Sequence, residues 1–271
     1  MNAKSLATKT PENLPSTISD DFAEFAGLGF ENVSSSDILI PRLTILQSLS
    51  PQLNKKKPEY IEGAELGDIV DAGTGRVFKN GIDFLPVYYR TDYIEWAPRG
   101  GAQKLVAIHE TSEILEACLK DNNGRLVYPT VLPNGNTIQE TKQFYGFNLT
   151  AGRRPSFIPM ASTQLKWAKK WLDLSMGERL KNSAGKEFMP PMFYRSYKLT
   201  VGEDSNTKGS WNTWNITRGA ALPEIDFDGI TWQEMKAQAL KFREQLIAGE
   251  ARADAGQMED ESTSSNGEGA M

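Results

Sequence analysis

The chain has one cysteine, Cys118, and one histidine, His109, among its 271 residues. An internal disulfide is therefore excluded, and so is a Cys/His metal cluster built within one chain. A Cys-His or Ser-His-Asp catalytic arrangement would have to use that one histidine, which no partner motif surrounds. Long apolar runs are also missing: no window reaches the eighteen or so residues of a membrane span. The amino terminus does not show the charged-then-apolar layout of a signal peptide, so a cytoplasmic protein is expected. Gly73-Thr-Gly75 lacks the Gly-Lys-Ser/Thr ending of a phosphate-binding loop, which argues against an ATPase. No cofactor is implied.

What is present is unevenly spread. The net charge is -5, yet residues 249 to 271 alone hold six acids (Glu250, Asp254, Glu259, Asp260, Glu261, Glu268) against Arg252. The body is neutral overall. Within it, Lys142 to Arg218 carries thirteen Lys/Arg against five acids, and the same window holds twelve of the twenty-six aromatic residues. Rings and positive charge coincide.

Composition divides the chain into a polar, disordered arm over 1–36, a folded domain over 37–248 and a disordered acidic tail over 249–271. In the domain, Gly67-Asp-Ile-Val70 and Arg76-Val-Phe78 read as short strands. Gly81 to Arg90 is the clearest strand, with Pro86 marking an edge or a bulge, and Tyr93 to Pro98 continues it. Glu110 to Lys120 has helical spacing, and 144–149 and 156–160 read as strands. Ser162 to Leu180 is expected to be a helix capped by Ser162, with Leu165, Ala168, Trp171, Leu172 and Ser175 on its apolar face. Pro191 to Val201 and Ser210 to Thr217 form a hairpin. Thr231-Trp-Gln-Glu234 is a capping box opening a last helix, whose apolar stripe is Trp232, Met235, Ala239, Phe242 and Leu246. This order favours a mainly β, α+β fold: an antiparallel sheet curled into a small barrel like the oligonucleotide/oligosaccharide-binding (OB) fold, with an embedded helix and a carboxy-terminal helix.

In the hairpin, alternation puts Phe193, Arg195, Tyr197, Leu199 and Val201 on one face and Tyr194, Ser196, Lys198 and Thr200 on the other. Trp214 and Ile216 share a face of the returning strand, opposite Trp211. Rings and cations on a solvated sheet suit a single-stranded nucleic acid, whose bases stack and whose phosphates seek Lys and Arg. The stacking candidates are Tyr194, Tyr197, Trp211 and Trp214, and the phosphate candidates are Arg153, Arg154, Lys166, Lys170, Arg195, Lys198 and Lys208. The competing reading is that the rings fill the core while the cations snorkel over it. The tail has two readings as well, a solubilising end or a mobile polyanion that competes with phosphates for the basic groove.

Ile40-Pro-Arg-Leu-Thr-Ile-Leu-Gln47, Gly67-Asp-Ile-Val70, Phe84-Leu-Pro-Val-Tyr-Tyr-Arg90, Tyr93-Ile-Glu-Trp-Ala-Pro-Arg99 and the basic-aromatic hairpin before an acidic end together resemble single-stranded DNA-binding proteins of tailed bacteriophages. The resemblance covers roughly residues 38 to 248. It implies an OB-type fold that coats single strands in phage replication and recombination, with a tail that contacts a polymerase or helicase. The tail here ends Gly267-Glu-Gly-Ala-Met271, without the terminal aromatic residue common in that family. Two other classes are kept beside this one. A structural or scaffold phage protein fits long polar ends equally well, and a metal-dependent nuclease would draw on Glu224, Asp226, Asp228, Glu234 and Lys236. DNA against RNA preference, the number of nucleotides covered and the oligomeric state are left open by the residues alone.

Overall fold

In a computed structural model, the chain divides into Met1–Ile38 and Leu39–Met271. The structure describes Leu28 and residues 39–98, 104–207 and 209–249. The amino-terminal arm, the acidic tail beyond Gly249 and Lys208 lie outside these residues.

The core element is a six-stranded antiparallel sheet. Its axis is β4 (Ile82–Trp96), fifteen residues long, which pairs along one side with β6 (Thr137–Asn148). On its other side it pairs with β10 (Arg195–Asn206) near its start and with β5 (Leu105–His109) near its end. β7 (Arg154–Ala161) extends the sheet beyond β6, and β11 (Gly209–Ala221) extends it beyond β10. A small sheet of β1 (Leu43–Ile45), β2 (Ile69–Asp71) and β3 (Val77–Phe78) packs beside it, and β8 (Leu180–Lys181) pairs with β9 (Glu187–Phe188).

The mainly β class is as expected, but the barrel is not: β7 and β11, the two ends of the large sheet, do not pair with each other. The segment holding β1 spans between them instead. It meets β7 at an Arg42–Phe157 bridge. At β11, the side chain of Gln47 accepts from Asn212 N (3.0 Å) and donates to Asn212 O (2.9 Å). From the opposite quarter Gln164 donates to the same carbonyl at 3.0 Å and accepts from Thr213 Oγ1 at 2.9 Å. Two glutamine amides thus stand where a further strand would add, which blunts an exposed sheet edge.

An open sheet with bulky residues at almost every position has to be covered on both faces. Leu85, Val87, Ile94, Tyr145, Phe147 and Phe157 face one way, against α2 (Trp232–Ala248) through Met235, Ala239, Phe242 and Leu246. Ile82, Phe84, Phe144, Ile158 and Met160 face the other way, against β1–β3 and α1 (Leu165–Met176). Pro86 sits at a β-bulge, where the pairing with β6 shifts register between Pro86 and Tyr88, so the missing amide costs the ladder little. Its partner Gly146 has to be glycine. A Cβ there would lie 2.2 Å from the carbonyl oxygen of Leu85.

α2 forms as its sequence dictates. Thr231 caps it by accepting from Glu234 N, Glu234 reciprocates toward Thr231 N at 2.7 Å, and the predicted stripe is buried apart from its first member, Trp232. Elsewhere the details differ. Residues 112–117 form a 3-10 helix and not an α-helix. Ser162 does not cap α1: with φ +48° it opens a 3-10 turn, and the α-helix starts at Leu165 and stops at Met176. Residues 192–194 are also a 3-10 turn, so β10 starts at Arg195 and strand alternation cannot be extended back to Phe193.

Candidate nucleic-acid interface

The hairpin β10–β11 has two environments. Near its base, Tyr197, Leu199, Trp214 and Ile216 lie beneath α1, where Trp171 stacks on Phe144 with centroids 4.1 Å apart and meets Tyr197 edge-on at 5.6 Å. Tyr197 is 1% exposed and its hydroxyl bonds Ser175 Oγ at 2.9 Å. Trp214 is 2% exposed. Both are core residues, and assigning them to base stacking is corrected: α1 covers their face of the hairpin. Phe193, placed by alternation beside Tyr197, joins the opposite core with α2, because the turn before β10 breaks the phase.

Of the other two stacking candidates, Tyr194 is half-buried in that turn beneath the Arg195 guanidinium, whose carbon lies 5.8 Å from the ring centroid. Trp211 is half-buried near the hairpin tip, opposite Asp204 in register.

The cations separate by what already holds them. Arg195 makes a fork of contacts with Glu178 (2.6 to 3.0 Å) and donates to Gly219 O at 2.7 Å; that hydrogen bonding raises its pKa further. This bidentate pair ties β10 to the segment that follows α1. Arg153, in the left-handed region at φ +65°, donates to the carbonyls of Phe227 and Asp228. Arg154 pairs with buried Asp71 at 3.2 Å. These three arginines fasten elements together, and Arg154 still keeps 41% of its side chain exposed. Arg42, read only as part of a motif, is 1% exposed and belongs to the interior.

The lysines behave differently. Lys198 lies 3.5 Å from Asp83, both half-exposed. Lys166 contacts Asp204 with its own side chain mostly in solvent. Lys170 is exposed and forms no ion pair among the described residues. Exposed lysine pairs contribute about 0 to 1 kcal/mol, so a phosphate can replace the carboxylate at small cost.

Lys166 and Lys170 are one helical turn apart on α1, and their ammonium groups lie 5.3 and 5.1 Å from the centroid of Trp167 between them. Trp167 is half-buried, and Lys169 beside it is exposed. Trp167 is not among the sequence-predicted site residues. Its signal was present in Leu165-Lys-Trp-Ala-Lys-Lys-Trp171, where the apolar stripe takes Leu165, Ala168 and Trp171 and leaves Trp167 among lysines. Gln164, just before α1, is bonded to Asn212 and Thr213, and Lys166 reaches Asp204. The start of the helix and the Trp211 end of the hairpin are therefore fixed at one corner.

The carboxylates considered for a nuclease do not converge. Glu224 accepts from Ala221 N, Asp226 from Asp228 N and Glu234 from Thr231, while the Lys236 ammonium lies over the Trp232 ring. No group of three or more metal-ligating side chains comes together among the described residues. His109 Nε2 bonds Glu95 at 2.8 Å, and Asn136 donates to the other oxygen of that carboxylate at 2.5 Å. No helix of the described residues is long and apolar enough to cross a membrane.

Neither the curated proteins nor the solved structures contain a match to this chain. The profile of one bacteriophage family, described as Pam3 phage gp34-like protein, matches residues 9–252. Spanning the three sheets, α1, α2 and the lysine-tryptophan corner, that match makes the chain a member of the Pam3 phage gp34-like protein family.

Proposed function

We propose that this phage protein binds single-stranded DNA without strong sequence preference, serving replication and recombination of the phage genome. The observation that carries the reading is the corner itself: Trp167 lies between Lys166 and Lys170, and the start of the same helix is tied to the Trp211 end of the hairpin through Gln164–Asn212 and Lys166–Asp204. Phosphates draw the strand in by displacing Asp204 from Lys166 and by meeting Lys169 and Lys170. Bases then stack on the two indoles at roughly 1 to 3 kcal/mol each. Lys198 extends the same charge along the hairpin, and Lys208, three residues before Trp211 in sequence, is a further phosphate candidate. The acidic tail, with its six carboxylates, competes for these lysines and, once displaced, is free to meet replication proteins.

The test is fluorescence anisotropy of a labelled oligo-dT and a matched duplex at two salt concentrations, using the full chain and a chain ending at residue 248. Preference for the single strand, an affinity that falls with salt, and tighter binding without the tail are expected. Trp167→Ala and Trp211→Ala should each weaken binding with little change in thermal stability. Equal affinity for duplex and single strand, or none for either, would refute the reading.

A further inference from the structure

The loop between β1 and β2 carries Lys55-Lys-Lys57, which the reading above does not use. All three lysines are exposed, and none forms an ion pair among the described residues. The loop is built to display them. Lys56 N donates to Asn54 Oδ1 at 3.0 Å, Lys57 N to Asn54 O at 2.9 Å and Tyr60 N to Lys57 O at 3.2 Å, and the bond from Ile61 N to Gln52 O closes the turn at 2.9 Å. Glu59 and Glu62 are exposed on the same loop, and neither contacts these ammonium groups within ion-pair distance; Glu65 is taken by Lys79. Three adjacent positive charges repel one another, and a polyanion relieves that repulsion.

The root of this loop sits on the hairpin. Leu46 O accepts from Gly67 N and from Asn212 Nδ2, and Gln47 holds both backbone groups of Asn212, the neighbour of Trp211. A Cβ on Gly67 would lie 3.5 Å from the Asn212 amide. The lysine turn and the α1 lysines are thus anchored on the same short stretch of β11, one through Gln47 and the other through Gln164.

We infer that Lys55, Lys56 and Lys57 form a second phosphate-binding station, so that a single strand leaving the Trp167–Trp211 corner continues over the hairpin onto this turn. The inference rests on the single-strand reading and adds the direction and length of the track. With about 0.7 in log-log salt slope per neutralised phosphate, three contacts make the advantage of the natural protein over a variant lacking them shrink about twentyfold between roughly 50 and 200 mM salt.

The test compares the full chain with the Lys55→Ala, Lys56→Ala, Lys57→Ala triple variant on oligo-dT of about 6 and about 30 nucleotides, lengths that bracket the span of one binding module. Acetylation footprinting of the natural protein accompanies it. The expected result is loss of affinity and of salt slope on the long oligonucleotide alone, with the three lysines protected from acetylation by the long strand and not by the short one. If the triple variant matches the natural protein on the long strand, the second station is refuted while the corner stands. Equal loss on both lengths refutes it too, since the lysines then belong to the first contact. If the natural protein binds neither length, the single-strand reading falls and this inference with it.

Discussion

The base and the tip of the β10–β11 hairpin draw on the same residue types and put them to opposite uses. At the base, Tyr197 and Trp214 are sealed under α1, and Arg195 is held by Glu178 and Gly219. Toward the tip, Trp211 keeps part of its surface in water, and the neighbouring lysine contact, Lys166 to Asp204, is exposed on the lysine side. What differs is the face: Tyr197 and Trp214 lie on the face that α1 covers, whereas Trp211 points to the opposite one, beside Asp204 in register.

The sharpest way to break this comparison is a pair of alanine substitutions on one strand. Trp214→Ala should destabilise the fold by about 3 to 5 kcal/mol, the usual cost of emptying a large aromatic site, seen as a drop in the thermal midpoint. Trp211→Ala should leave that midpoint nearly unchanged and weaken oligo-dT binding by about 1 to 3 kcal/mol in anisotropy titrations. Equal stability losses would erase the distinction between base and tip. The next contrast is between cations. Arg195→Ala strands Glu178 and should cost about 2 kcal/mol of stability with unaltered salt dependence of binding, measured by urea unfolding beside anisotropy. Lys170→Ala should do the reverse, lowering the salt slope by about 0.7 without touching stability.

The smallest effect is expected far from the hairpin, at Glu95. The hydrogen bond from Asn136, helped by His109 and opposed by burial, holds its carboxyl below the usual glutamate range. A depressed folded-state pKa stabilises the protein above the unfolded value of about 4.3, and that contribution is lost as pH falls through the folded value. Glu95→Gln should therefore flatten the acid side of a plot of thermal midpoint against pH and leave the neutral region in place.

The parts of the fold set by local chemistry were legible from the residues. The capping box at Thr231–Glu234, the stripe of α2, the bulge at Pro86 and the opposition of Trp211 to Trp214 each depend on a few neighbouring side chains, and each is present. What depended on distant partners was not. Closure into a barrel requires β7 to find β11, and no local pattern reveals that the β1 segment will span between them through Arg42 and Gln47. The same blindness misassigned Tyr197 and Trp214, because strand alternation gives two faces and cannot say that both are covered. The partners of the arginines were hidden for a related reason: Asp71, Glu178 and the carbonyls of Phe227 and Asp228 come from elsewhere in the chain to Arg154, Arg195 and Arg153. Trp167 lies off the apolar stripe of α1 and among lysines, a local signal that helical periodicity alone does not rank.

The glutamine pair on Asn212 has a bearing on how copies tolerate one another. Proteins lined up shoulder to shoulder along one polymer are held at high local concentration, the condition under which bare strand borders zip into continuous sheets. With Gln47 and Gln164 saturating the outward amide and carbonyl of that residue, neighbours have no backbone there to knit with. That border then resists sheet-to-sheet association however concentrated the copies become.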